Sequence, residues 1–127
     1  MSLKKDHGDR NLNLSEDLRR GNVYYDWCIT TSFYSAIQFV EDKLFPLKLE
    51  GKDCNNLSEA KIALRFKGRH ETRLKLVYDH LGLNAGVKYQ WLENKSRNAR
   101  YISYKSTVAE AEKALQFCRE LKDICYQ

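Results

Sequence analysis

The chain has 127 residues, 43% hydrophobic and 31% charged, with a net charge of +5 and a mean hydropathy of −0.65. That length fits one domain spanning residues 1–127, able to bury a core without disulfides or metals. No apolar run approaches the roughly 20 residues that cross a bilayer, which excludes a transmembrane helix and predicts a protein with no membrane association.

The opening Met1-Ser2-Leu3-Lys4-Lys5-Asp6 lacks the apolar core of a secretory signal, so a cytoplasmic location is expected, with residues 1–9 as a flexible tail. Leu12, Leu14 and Leu18, followed by Gly21, predict a first helix over residues 11–20. The organising stretch comes next. Asp26 is a good N-cap, Pro46 ends the run, and Ile29, Phe33, Ala36, Val40 and Leu44 recur at helical spacing with Trp27, Tyr34 and Ile37 beside them. Thr31, Ser35, Gln38 and Asp42 form a narrow polar stripe opposite, facing solvent or a partner. A helix apolar over most of its circumference must be surrounded, which places it at the centre of an all-α fold.

Residues 47–56 read as a loop, because their alternation is brief and Asn, Gly and Asp interrupt it. A short helix is expected over 57–66, a firmer one over His70–Leu81 ending at Gly82, and another from Asn84 to about Asn98. Lys88 and Lys95 fall inside the apolar arc of that helix, where their stems cover the core rim. Thr107-Val108-Ala109-Glu110 is a capping box, and Val108, Ala111, Leu115, Cys118, Leu121 and Cys125 then repeat at helical steps.

Cys28, Cys54, Cys118 and Cys125 contain no CxxC pair and read as reduced, mostly buried thiols. His7, His70 and His80 lack cysteine or carboxylate partners at ligand spacing, so neither a metal nor a cofactor is expected. Gly-rich phosphate loops, GxSxG and HExxH are all missing from the sequence, which argues against an ordinary hydrolase or nucleotide-driven enzyme.

The charge is unevenly distributed. Residues 65–105 hold ten basic side chains against three acidic ones, together with Tyr78, Tyr89, Trp91, Tyr101 and Tyr104, while the remainder is slightly acidic. Basic groups with interleaved aromatics suit a phosphate-bearing, base-stacking partner, although the same residues also serve to keep helix faces wet over an aromatic core. Two Arg and His pairs could support metal-free RNA cleavage, in which Arg holds the scissile phosphate and His moves a proton. Arg73 and His80 share one helical face two turns apart, and Arg65 and His70 straddle Gly68. Tyr89, Glu93, Arg97 and Arg100 lie on one face of the helix after Gly82, either as a solvated Glu93–Arg97 pair or as a surface for phosphate or a partner subunit.

Residues 26–41, DWCITTSFYSAIQFVE, resemble the helix of HEPN-like proteins written DW-apolar-apolar-x-x-FY-x-A-apolar-x-x-VE, after the higher eukaryote and prokaryote nucleotide-binding superfamily. Tyr89-Gln90-Trp91-Leu92, followed by Ser96-Arg97-Asn98-Ala99-Arg100-Tyr101, is similar to their Y-x-x-L … S-x-x-A-R-Y segment, and Ala109–Leu115 to their closing A-x-x-A-L helix. The resemblance implies an up-and-down bundle of four to five helices, a homodimer, and a role in RNA cleavage, nucleotide binding, defence, or a toxin–antitoxin pair with a nucleotidyltransferase antitoxin. Active relatives carry Arg, a polar residue, then His after four to six intervening residues. Arg97-Asn98 matches the first half, but Ile102, Ser103 and Tyr104 stand where the His would be, and Gln38 stands where many relatives have another His.

The leading expectation is therefore a non-cleaving bundle that binds RNA, a nucleotide or an acidic partner through Arg97, Asn98, Arg100, Tyr101, Arg73 and Tyr89. The alternatives are a metal-free ribonuclease toxin using Arg73 and His80, and a module that only binds other proteins.

Overall fold

The computed structural model describes residues 2–127. Six helices and one small hairpin follow in order: α1 Leu3–Gly21, α2 Tyr25–Leu44, β1 Leu47–Leu49, β2 Lys52–Cys54, α3 Leu57–Leu64, α4 Arg69–Leu81, α5 Leu83–Tyr101 and α6 Val108–Cys125. The described residues are thus mainly helical, with six helices where the resemblance implies four to five.

α2 occupies the centre, as its sequence requires, and packs against α1, α4, α5 and α6. Cys28, Phe33, Ala36, Phe39 and Val40 are fully enclosed. Side-chain pairings give the directions. Ser15 meets Thr31 and Ser2 meets Asp42, so α1 runs antiparallel to α2. Cys28 lies against Ala111 and Asp42 against Tyr126, so α6 runs parallel to α2. α5 runs antiparallel to both, with Lys95 on Glu110 and Arg100 on Tyr34. α4 packs on α5 and α2, and α3 packs on α4 and the hairpin.

Four expectations need correction. Of the expected flexible tail, residues 3–9 form the first two turns of α1 and Ser2 caps them; Met1 lies outside the described residues. The whole of α1 covers the polar stripe of α2, Ser15 at Thr31 and Gly8 at Ser35, so Thr31 and Ser35 are buried instead of facing solvent or a partner. Ser35 donates to the Gly8 carbonyl at 2.6 Å, and the absence of a side chain at Gly8 lets the Phe39 ring approach the α1 backbone. Residues 47–54 form an antiparallel hairpin in which Leu47 faces Cys54 and Leu49 faces Lys52. Its two-residue turn needs a left-handed backbone at both positions, which Glu50 (φ 51°) and Gly51 (φ 75°) provide. Asp26 sits inside the first turn of α2, and Tyr24 occupies the N-cap.

The later helices follow their signals closely. Gly82, at φ 97°, separates α4 from α5, and the Thr107–Glu110 capping box starts α6. All four cysteines are buried free thiols, and burial pushes Cys28 up to about 11 and Cys118 and Cys125 up to about 12. Among the described residues no helix is long and apolar enough to cross a membrane.

Candidate nucleic-acid interface

α2, the start of α4 and the second half of α5 converge on one face. Arg73 lies in the second turn of α4 and points inward, where it is 4% exposed. Its Nε donates to Glu41 Oε2 at 2.8 Å, and its Nη1 donates to the Tyr89 hydroxyl at 3.0 Å and to His70 Nδ1 at 3.3 Å. Burial opposes the guanidinium charge, but Tyr89 and Glu41 outweigh it and hold Arg73 above its ordinary value. Tyr89 is fully enclosed, and burial raises its hydroxyl far above the usual phenol range despite Arg73.

An arginine can only donate, so His70 Nδ1 accepts and the proton of the neutral ring lies on Nε2. The imidazole is half exposed and packs against Phe33. Burial lowers its pKa; Glu93 opposes this, and Arg73, Arg100 and Arg97 add to it. Glu93 is itself buried. Its Oε1 accepts from Arg97 Nη2 at 2.8 Å, the expected i, i+4 pair, while its Oε2 has no hydrogen-bond partner among the described residues and lies 3.9 Å from His70 Nδ1.

Farther along α5, Arg100 has no carboxylate partner among the described residues. Its Nη1 donates to the Tyr34 hydroxyl at 2.8 Å and its Nε to the Ser96 carbonyl at 3.2 Å. The guanidinium carbon lies 5.1 Å from the centre of the Tyr101 ring, 5.4 Å from that of Tyr34 and 6.0 Å from that of Phe33. Three rings around the guanidinium hold its orientation. Beside it opens a cleft of about 290 Å³, lined on the α2 side by Asp26, Trp27 and Thr30 and on the α5 side by Arg100 and Tyr101, with Tyr104 beyond.

The expected site is therefore divided. Arg97, Asn98, Arg100 and Tyr101 lie along the exposed end of α5 and stay accessible or partly so. Arg73 and Tyr89 belong to the enclosed network and offer nothing to a ligand, because Glu41 supplies a buried counter-charge that the sequence does not place opposite Arg73. The Arg73 and His80 pair does not converge either: His80 is exposed in the last turn of α4, and the histidine at Arg73 is His70. Of the ten basic residues in 65–105, Arg73, Lys75, Lys95 and Arg97 are paired with carboxylates, which leaves the patch weaker than the sequence charge implies.

Trp27 and Tyr34, core residues by their place beside the apolar positions of α2, are 52% and 38% exposed. Asp26 and Tyr34 are the only signal for this face, a carboxylate and a phenol two turns apart; Thr30 between them is buried, and nothing in the spacing marks Trp27 as exposed. No known protein-family model, curated protein or solved structure matches the chain.

Proposed function

We propose that this chain is a HEPN-like, up-and-down helical bundle that binds single-stranded RNA on the face shared by α2 and α5 and does not cleave it. The observation that carries the reading is Arg100, a cation without a carboxylate partner among the described residues, fixed among Phe33, Tyr34 and Tyr101 at the edge of an aromatic cleft. Stacking on aromatic side chains beside a phosphate-seeking guanidinium is how unpaired strands are held. The alternating directions of α1, α2, α5 and α6 support the bundle type, and the three motifs at residues 26–41, 89–101 and 109–115 support the kinship. Homodimer formation and a nucleotidyltransferase antitoxin belong to the same proposal and rest on the motifs alone.

The test is anisotropy of a labelled single-stranded RNA at low and physiological salt. Micromolar binding that weakens with salt and is lost in an Arg97→Ala, Arg100→Ala double variant is the expected result. Absence of binding at low salt overturns the reading.

One observation favours a second reading, a metal-free ribonuclease: His70 presents a half-exposed neutral imidazole beside Glu93, with Arg97 and Arg100 near enough to depress its basicity. That enzyme would cut RNA in chelator and stop in His70→Ala. Intact RNA after prolonged incubation removes it.

A further inference from the structure

The cleft beside Arg100 carries two charges of opposite sign that do not meet. Asp26, in the first turn of α2, and Arg100, in the last turn of α5, both line it. They form no ion pair, and the Asp26 carboxylate has no hydrogen-bond partner among the described residues. Trp27, Tyr101 and Tyr104 supply its rings at 52%, 76% and 72% exposure, and the buried Thr30 and Ala99 line its inner side. At about 290 Å³ it lies at the lower edge of the range for small-molecule sites and has room for one flat ring system.

The pair of charges selects the occupant. An organic cation would suit the rings but meet Arg100, and a simple anion would suit Arg100 but meet Asp26. A neutral, flat ligand fits both if it carries acceptors on one edge and donors on the next. Guanine has that pattern: O6 and N7 accept from a guanidinium, while N1–H and the N2 amino group donate in parallel to a carboxylate. Adenine offers Asp26 one amino donor and turns its N1 lone pair toward the carboxylate. Uracil and cytosine lack the second acceptor of the purine edge and stack over less area.

We infer that the cleft between the start of α2 and the end of α5 is a socket for one unpaired guanine base, read by Asp26 on its Watson–Crick edge and by Arg100 on O6 and N7. This deepens the RNA-binding reading and rests on it where the guanine belongs to a strand; a free guanine nucleotide presents the same chemistry. A paired guanine is excluded, because its N1 and N2 donors are already engaged.

Labelled heptanucleotides UUUGUUU, UUUAUUU and UUUUUUU, and one with inosine at the centre, are titrated by anisotropy, and GMP and AMP are compared by calorimetry. The single guanine should tighten binding about tenfold or more over adenine or uracil, the range of one bidentate base contact. Inosine, which keeps N1–H but lacks the amino group, should fall between. Asp26→Asn should abolish the preference and leave the adenine strand bound as before, whereas Tyr101→Ala should weaken all four strands, the uracil strand least. The inosine strand needs no altered protein, so the test stands even if Asp26→Asn fails to fold. Equal binding of all four strands overturns the socket and leaves RNA binding intact. Binding of GMP over AMP without strand binding keeps the socket and overturns the RNA reading. Silence in every arm overturns both.

Discussion

Arg73, Glu41 and Tyr89 sit where water has little access, and the energetics of such a triad are set by what remains when one member is removed. Replacing Arg73 with Met would leave Glu41 buried, with only the half-exposed Lys4 ammonium, 3.4 Å away, to compensate. The expected loss is about 3–5 kcal/mol in urea unfolding, and Glu41→Gln in the same background should restore part of it by removing the stranded charge. RNA affinity of the folded fraction should not change, since Arg73 is enclosed. His70 gives the opposite kind of prediction, one of pH. Its folded pKa lies below the ordinary 6.5, so between the two values the unfolded chain binds the extra proton and the folded chain does not. Stability is then complete above about pH 6.5 and declines as the pH falls below it, levelling off once the folded pKa is passed. The melting temperature should drop on acidification from pH 7.5, and His70→Gln should flatten that part of the profile; an unchanged profile in the variant would show that His70 is not its source. Neither role was legible in the sequence. The shared helix face points Arg73 to His80, but Glu41 and Tyr89 come from two other helices, and only the packing of α2, α4 and α5 brings them together.

Helix α1 shows how far periodicity carries an element and where it stops. Leu12 and Leu18 mark its second half, and that half was readable. Its first two turns carry Lys4, Lys5, Asp6 and Asp9, no apolar stripe, and Gly8, which resembles a tail in any scan for apolar spacing. What holds them is polar and close: Ser35 on the Gly8 carbonyl, Lys122 on Asp9 at 2.6 Å, and the Phe39 ring against the Gly8 backbone. A Cβ at Gly8 would lie 2.5 Å from Phe39 Cε1, and that ring is fully buried with nowhere to turn. Gly8→Ala gains up to about 1 kcal/mol of helix propensity and loses about 1–3 kcal/mol to overpacking, so net destabilisation is expected. Thermal melting decides it: a higher midpoint would mean that the contact is looser than described. At α6 the sequence left nothing to find. The Thr107 hydroxyl accepts from the Glu110 amide at 3.1 Å while Glu110 Oε1 accepts from the Thr107 amide at 2.9 Å, and Thr107→Ala should cost about 1 kcal/mol.

Over the whole molecule, charge that is concentrated in sequence is partly neutralised in space. The basic third was legible as composition, but which of its members remain free depends on carboxylates from other elements, Glu41 on α2 and Glu110 on α6 among them. On a strand without guanine, where no base edge engages it, Arg100 is left for phosphate; it and Lys105 have no acidic partner among the described residues, and Arg97 would exchange Glu93 for phosphate. Three phosphate contacts on such a strand give a salt slope near −2, by the rule of about 0.7 per contact. Raising salt from about 50 to about 200 mM should then weaken binding roughly twenty-fold. Lys105→Ala and Arg100→Ala should each reduce the slope by about 0.7, whereas Arg73→Met should leave it unchanged. A slope near −7, the value expected if all ten basic residues of 65–105 met phosphate, would place the strand on a different and larger surface than the one that α2 and α5 form.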